Sequence, residues 1–391
     1  MNHRATRITC VHQGCELYGS DRSFIESVRV LRERFPEADI DVVLPGDGPI
    51  VGALEPYASS IAIEPLWILR RRHLPRLMTL GLATLPLAVA RALRRIRRSD
   101  VVYVNTCVVT DYLLAAGLDR RRTLAHLHEI AEGPVALGLR LLVRLSGARL
   151  IFNSRATQAA FAIPAPRPQT VIYNGIADPG PAKTAAYDGS RPLRVLMLGR
   201  ISRIKGQDVL VEALSRLPDA VRSRIAVRIV GNAFEDEARE AALAAAIEAA
   251  GLSGQVRLLP FIPDPSAHFA WADIVVVPSR LPESLGRVAI EGMAHGVPPL
   301  VSDIGGLPEV VADGETGWTV PPGDAAALGE ALARIVTAPD AWASFPAAGR
   351  RRYERLFGQE ACGDALAAEF GRVLSGPGTA VPATLSTAAT R

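Results

Sequence analysis

The chain has almost no lysine. Of its 44 basic residues only Lys183 and Lys205 are lysines, and arginine supplies the rest. A lysine kept in such a sequence hints that a compact ammonium is wanted there. Cysteine is also scarce. Cys10, Cys15, Cys107 and Cys362 are scattered, with no C-x-x-C pair, and Cys10, His12 and Cys15 have no obvious fourth partner. Neither a disulfide framework nor a zinc site is expected. The apolar run Leu77 to Ala90 is fourteen residues long and broken by Pro86, whereas a bilayer-spanning helix needs roughly 20. No leader segment precedes the first predicted strand, Ile8 to His12, so a cytoplasmic chain is expected. Aromatics make up only 5% of the sequence and do not interleave with the basic runs, and no nucleic-acid module is recognisable, so no nucleic-acid partner is expected.

What is there suits a two-domain α/β protein. At 391 residues, two domains are the default. Charge divides unevenly. Residues 1–185 hold 24 Lys and Arg against 16 Asp and Glu, and residues 186–391 hold 20 against 24. The basic half should face something anionic, a membrane surface or an acidic substrate.

The first half alternates strand and helix. Strands are predicted at Ile8–His12, Asp39–Pro45, Asp100–Asn105, Thr123–His128 and Arg149–Asn153. Ser20 or Asp21 caps a helix that carries Phe24, Ile25, Val28 and Leu31 on one face. This alternation predicts a parallel sheet with helices on both faces, whose ligands bind beyond the carboxyl ends of the strands. Three loops fall there: Gly14 to Ser20, His126 to Glu129, and Asn153-Ser154, the last read as a helix cap. The single Asp-x-Asp triplet, Asp39-Ile40-Asp41, falls at the wrong end of its strand for a metal-held ligand. Between Leu66 and Arg98, Arg70, Arg71, Arg72, His73 and Arg76 precede the apolar run, and Arg91, Arg94, Arg95, Arg97 and Arg98 follow it. The segment suits either a core helix or an amphipathic helix lying among lipid headgroups.

A Gly- and Pro-rich linker, Asp178 to Ser190, leads into the second half. Strand Leu193–Leu198 runs into Gly199-Arg200-Ile201-Ser202-Arg203-Ile204-Lys205-Gly206, which lacks the G-x-x-x-x-G-K-[ST] spacing of a P-loop. Strands follow at Ile225–Gly231 and Val256–Pro260, with a helix over Glu237–Ala250. The stretch Ala272 to Asp324 is the densest in signals. A buried strand, Asp273–Pro278, precedes a helical pattern over Ser284–His295, which Gly296 and Pro298 end before strand Pro299–Ser302. Glu283 and Glu291 frame that helix, about 12 Å apart along its axis and about 80° apart around it. They are placed either as two solvated helix charges or as contacts at the two ends of an elongated polar ligand.

Glu283, seven residues, then Glu291, with Val277-Pro278-Ser279 before them and Gly305-Gly306 and Gly314-x-x-Gly317 after, resembles the donor-site signature of the retaining glycosyltransferases of family four. The resemblance covers most of residues 5 to 370. It implies the GT-B fold: α/β, with two Rossmann-like doubly wound domains facing a cleft. The expected division is 1–182 for the acceptor side, 183–374 for the nucleotide-sugar side with its last helix crossing back, and 375–391 as a disordered tail. The resemblance assigns Glu283 to the sugar and Glu291 to the ribose hydroxyls. Arg200 and Lys205 resemble the family's phosphate clamp, and Ser284, Leu285 and Gly286 lie where backbone amides meet sugar or phosphate. Gly14 and Gly19 stand apart where the family usually has a Gly-Gly pair near the donor phosphate. His128 resembles the family's histidine near sugar and acceptor. The implied catalytic residues are Glu283, His128, Arg200 and Lys205. Donor binding falls to Gly14, Gly19, Arg200, Lys205, Glu283, Ser284, Leu285, Gly286 and Glu291. The implied activity is sugar transfer with retention from a UDP- or GDP-sugar to a saccharide or lipid-linked acceptor, with no metal and no cofactor. Peripheral contact with an anionic membrane through Arg70–Arg98 is a further expectation. The rival expectations are a nucleotide-sugar epimerase or phosphorylase of the same fold, and a non-catalytic relative.

Overall fold

The computed structural model describes residues 5–375 apart from 18, 70–80, 121, 131–132, 184–186 and 234–235. Of the expected tail 375–391 all but Ser375, and the arginines Arg70, Arg71, Arg72 and Arg76, lie outside the described residues. The chain divides into two compact units, Met1–Gly175 with Gln359–Arg391, and Ile176–Gly358.

The first unit is built on a seven-stranded parallel sheet. Its strands are β1 (Arg7–Val11), β2 (Asp39–Leu44), β3 (Ser60–Ile63), β4 (Val101–Val104), β5 (Thr123–Leu127), β6 (Arg149–Phe152) and β7 (Gln169–Val171), in the order β3-β2-β1-β4-β5-β6-β7. Alternate side chains of each strand go to opposite faces. Val101 and Tyr103 join Phe24, Val28, Leu31 and Phe370 in one apolar layer. Val102 and Val104 join Ala92, Ile96, Leu113 and Val143 in the other. Helices Gly19–Arg34 and Gln359–Leu374 cover the first face, and helices Leu82–Arg98, Thr110–Leu118 and Pro134–Leu145 cover the second.

The second unit is built on six parallel strands: β8 (Leu193–Leu198), β9 (Ile225–Val230), β10 (Val256–Leu259), β11 (Ile274–Val277), β12 (Pro299–Ser302) and β13 (Trp318–Val320), in the order β10-β9-β8-β11-β12-β13. Here Val195 and Met197 face one apolar layer and Leu196 the other.

The sequence reading finds every central strand to within a residue or two. It passes over β3, β7 and β13, each an edge strand of three or four residues. These strands are partly exposed and too short to establish a period. The division between units also differs from the expected 182/183. Residues 176–183 are tied to the second unit: Ile176 N–H donates to the Phe357 carbonyl at 3.0 Å, Arg350 pairs with Asp178 at 2.5 Å, and Lys183 Nζ meets Asp273 at 2.9 Å. The Gly- and Pro-rich composition reads as a linker, but these contacts make its start part of a packed domain.

Candidate functional site

In the second unit, the candidate residues gather on the loops that follow β8 and β11. These are neighbouring strands, so their carboxyl ends lie side by side. Lys205 Nζ donates to Glu283 Oε2 at 2.7 Å, and Ser279 Oγ donates to the other oxygen, Oε1. Arg200 lies on the same loop as Lys205, and its carbonyl accepts from Gln207 Nε2 at 3.0 Å. Two glycines make this approach feasible. Gly206 has φ of 75° and its missing Cβ would lie 2.0 Å from the Pro278 carbonyl oxygen. Gly305 has φ of 62° and its missing Cβ would lie 2.3 Å from the Glu283 carbonyl oxygen. Gly306 N–H then donates to that same carbonyl at 2.8 Å. Any side chain at either place would push the Glu283 backbone or the Lys205 loop away.

The helix expected to begin at Ser284 begins at Arg287 instead, with Gly286 at φ 92° as its N-cap and no side-chain cap. A Cβ on Gly286 would sit 2.3 Å from Leu307 Cδ2. The close packing of Leu307 fixes this left-handed entry, which helical spacing alone does not show. Ser284 is partly exposed and Leu285 is buried at 3% exposure. Glu291 lies inside the helix, one turn after Arg287, whose Nε donates to it at 2.8 Å. The two glutamates thus have separate cationic partners, Lys205 for Glu283 and Arg287 for Glu291. The triplet Asp39-Ile40-Asp41 is placed as its position at the start of β2 predicts. Arg7 lies 4.0 Å from Asp39 and 3.7 Å from Asp41. Among the described residues, no three His, Cys, Asp or Glu side chains group as metal ligands.

Gly14, Gly19 and His128 belong to the first unit. His128 follows β5, and Asn105 follows the adjacent β4. His128 Nε2 lies 2.8 Å from Asn105 Oδ1, which also accepts from Tyr103 Oη at 2.8 Å. Asn105 Nδ2 lies 3.2 Å from His12 Nδ1, and His12 Nε2 lies 2.7 Å from Asp21 Oδ1. Tyr103 Oη is also 2.7 Å from His126 Nδ1. Burial pulls His126 down to about 3. Burial also holds His128 well below the usual imidazole range, with His126 and His12 adding to the effect. Both rings are therefore neutral at physiological pH. Glu129 accepts from Thr106 Oγ1, from Cys107 N at 3.3 Å and from His128 N at 3.1 Å.

Asp21, expected as a helix cap, is in the first turn of Gly19–Arg34, buried against His12. Gly14 makes that possible, because its missing Cβ would lie 2.1 Å from Asp21 Oδ1. Gly19 opens the helix with open space above its Cα. Ser154 caps as expected, accepting from Thr157 N at 2.9 Å. Sequence reasoning missed His12, Asp21 and Asn105 as parts of a single cluster. The available signal was polar residues at the carboxyl ends of adjacent strands.

Residues 188–352 match the family Glycosyl transferases group 1. The D-inositol 3-phosphate glycosyltransferase of Streptosporangium roseum is 36% identical over 181 residues, 44% of this chain and 41% of that protein. The phosphatidyl-myo-inositol mannosyltransferase of Mycobacterium leprae is 34% identical over 41% of this chain and 42% of its own length. The chain thus spans about two fifths of the length of these curated relatives. Likeness in fold reaches much further. Anabaena HepE in complex with UDP superposes with a TM-score of 0.76 at 23% identity, over 93% of this chain and 99% of that one. A glycosyltransferase from Rickettsia africae gives 0.78 at 18%, over 96% and 100%. Residues 188–352 are thus similar to the Glycosyl transferases group 1 family, in a chain that has the GT-B fold and resembles the glycosyltransferases of family four.

Proposed function

We propose that the chain transfers a sugar, with retention, from a UDP- or GDP-sugar to a saccharide or lipid-linked acceptor in polysaccharide or glycolipid assembly. The observation that carries this reading is the Lys205–Glu283 pair, 2.7 Å long, held where the β8 and β11 loops meet. An ammonium has three N–H donors. Lys205 can keep Glu283 and still donate to a diphosphate oxygen, with Arg200 beside it on the same loop. Fixed cations at a leaving diphosphate stabilise charge where it develops. They stand in for a metal in this reading. Both oxygens of Glu283 are already engaged, which suits a hydrogen-bond acceptor for sugar hydroxyls better than a nucleophile. Glu291 takes the ribose hydroxyls, and His128 takes a hydroxyl of the sugar or the acceptor. The names of the relatives point to sugar transfer onto inositol-containing acceptors, and the Anabaena neighbour holds UDP.

The test is thermal stabilisation by UDP-, GDP-, ADP- and dTDP-sugars, with and without EDTA, followed by NMR of the product's anomeric centre. One nucleotide class should stabilise the protein without metal, and the glycoside should keep the donor's anomeric configuration. An epimerised donor, a sugar phosphate, or an inverted glycoside would overturn the reading.

Peripheral membrane attachment belongs to the same proposal. Helix Pro134–Leu145 presents Leu137, Leu141 and Leu145 at i, i+4 and i+8, each more than half exposed. It packs on Thr110–Leu118, which packs on Leu82–Arg98; there Leu118 and Leu87 are also more than half exposed. Exposed leucines beside the arginines of Leu82–Arg98 suit a surface that inserts shallowly among anionic headgroups. No helix among the described residues is long and apolar enough to cross a membrane. Flotation with anionic vesicles should be lost in Leu137→Ser/Leu141→Ser; equal flotation of variant and wild type would exclude this face.

A further inference from the structure

We propose that Asp21 sets the proton polarity of a buried relay, Asp21–His12–Asn105–His128, and so fixes His128 as the tautomer protonated on Nε2 with Nδ1 left as an acceptor. The role given to that acceptor rests on the function proposed above; the polarity of the relay does not.

Donors and acceptors along the relay can pair in one order. An ionised carboxylate only accepts. Its partner 2.7 Å away, His12 Nε2, must therefore carry a proton. Asn105 presents its Nδ2 to His12 Nδ1 at 3.2 Å, and an amide NH₂ only donates, so His12 Nδ1 is the lone pair. That places the amide oxygen on the other side, 2.8 Å from His128 Nε2, which must donate. The neutral His128 ring has one N–H, so Nδ1 is bare, and it is buried with no partner. Tyr103 joins the cluster from the side: its hydroxyl donates to the same amide oxygen at 2.8 Å and lies 2.7 Å from His126 Nδ1. His12, Asp21, Tyr103 and Asn105 are all 3% exposed or less. A reversed link would leave a buried donor facing a donor, with neither group able to reach water. Asp21 is thus a positioning residue for His128, three residues away along the relay, and Gly14 is the space it occupies.

The experiment is ¹⁵N NMR of the full chain labelled at histidine. In the wild type, His128 should show a protonated Nε2 and a bare Nδ1, and His12 a protonated Nε2. Asp21→Asn supplies a donor where only an acceptor stood. His12 should then bind its proton on Nδ1, the Asn105 amide should turn, and His128 should move its proton to Nδ1. Turnover in that variant should fall about 10–100-fold, with donor KM within about twofold. A doubly protonated His12 in the wild type, or an unchanged His128 tautomer in Asp21→Asn, overturns the proposal. Asn105→Asp covers the case in which Asp21→Asn does not fold. It keeps the acceptor toward His128 but adds a charge, so the His128 titration should move to higher pH; an unmoved titration also overturns the relay. A wild type with the expected tautomers but no glycoside product upholds the relay and removes the proposed function instead.

Discussion

Replacing Lys205 by alanine should separate binding from stability. Lys205 and Glu283 are 2.7 Å apart, with side chains 24% and 12% exposed. A pair this open to solvent contributes about 0–1 kcal/mol to folding, so Tm should fall by only a few degrees. Nucleotide binding should suffer far more. Losing one charge-assisted hydrogen bond to a diphosphate costs about 1.5–3 kcal/mol, roughly 10–150-fold in Kd. The upper end is expected, because Glu283 is then left as an uncompensated carboxylate beside the incoming phosphates. Adding Glu283→Gln removes that repulsion and should recover about tenfold of the lost affinity. Isothermal titration with UDP and GDP, alongside thermal unfolding, measures both quantities. Nucleotide affinity within threefold of wild type in Lys205→Ala would falsify the assignment of Lys205 to the diphosphate.

Three further outcomes can be checked directly. Gly14→Ala places a Cβ 2.1 Å from Asp21 Oδ1, so it should displace the carboxylate from His12 and cost about 1–3 kcal/mol by leaving buried polar groups unpaired, read by chemical denaturation. Gly305→Ala combines a φ of 62° with a 2.3 Å clash on the Glu283 carbonyl; sugar transfer should fall at least about tenfold because a small misplacement at a reacting site is costly, while Gly254→Ala, with open space around it, should retain full transfer. Burial raises Asp111 from 3.8 to about 6. The folded state then holds that proton more tightly than the unfolded one, so stability falls as pH rises from about 4 to about 6 and stays level above. Asp111→Asn should remove that slope and gain on the order of 2 kcal/mol at pH 7; an identical pH slope in both proteins would refute the assignment.

Much of this molecule could be read before its structure was known, and the parts that could not be read have physical reasons. The central strands are short Val- and Ile-rich runs bounded by turn residues, and they stand almost where the spacing puts them. The edge strands β3 and β13 carry no such pattern because four and three residues are too few to establish a period. Lys205 was marked by the rarity of lysine and Glu283 by resemblance. Their 2.7 Å contact spans 78 positions of sequence, which no local pattern encodes. The start of the helix before Glu291 was misread because Leu285 fits a helical stripe, although the packing of Leu307 on Gly286 sets the entry. The His12 cluster was invisible for the same reason as the lysine contact: Asp21, His12, Asn105 and His128 meet only because β1, β4 and β5 are neighbours.

The second unit is an insertion, and this bears on the order in which the protein matures during synthesis. Ile176 and Gly358, its first and last residues, are paired by a β-bridge, so the whole unit closes on itself once the ribosome has released Gly358. The first unit emerges earlier yet is finished later. Its sheet lacks one cover until helix Gln359–Leu374 arrives, bringing Phe370 to within 5.6 Å of the Tyr103 ring and Glu369 to Arg149. A nascent chain paused before Gln359 would carry a complete second unit and an uncovered first unit with Phe24, Val28 and Tyr103 short of their last neighbour. The last-made helix is therefore the latch on the first-made domain, and truncations that remove it should aggregate while the isolated 176–358 segment stays folded.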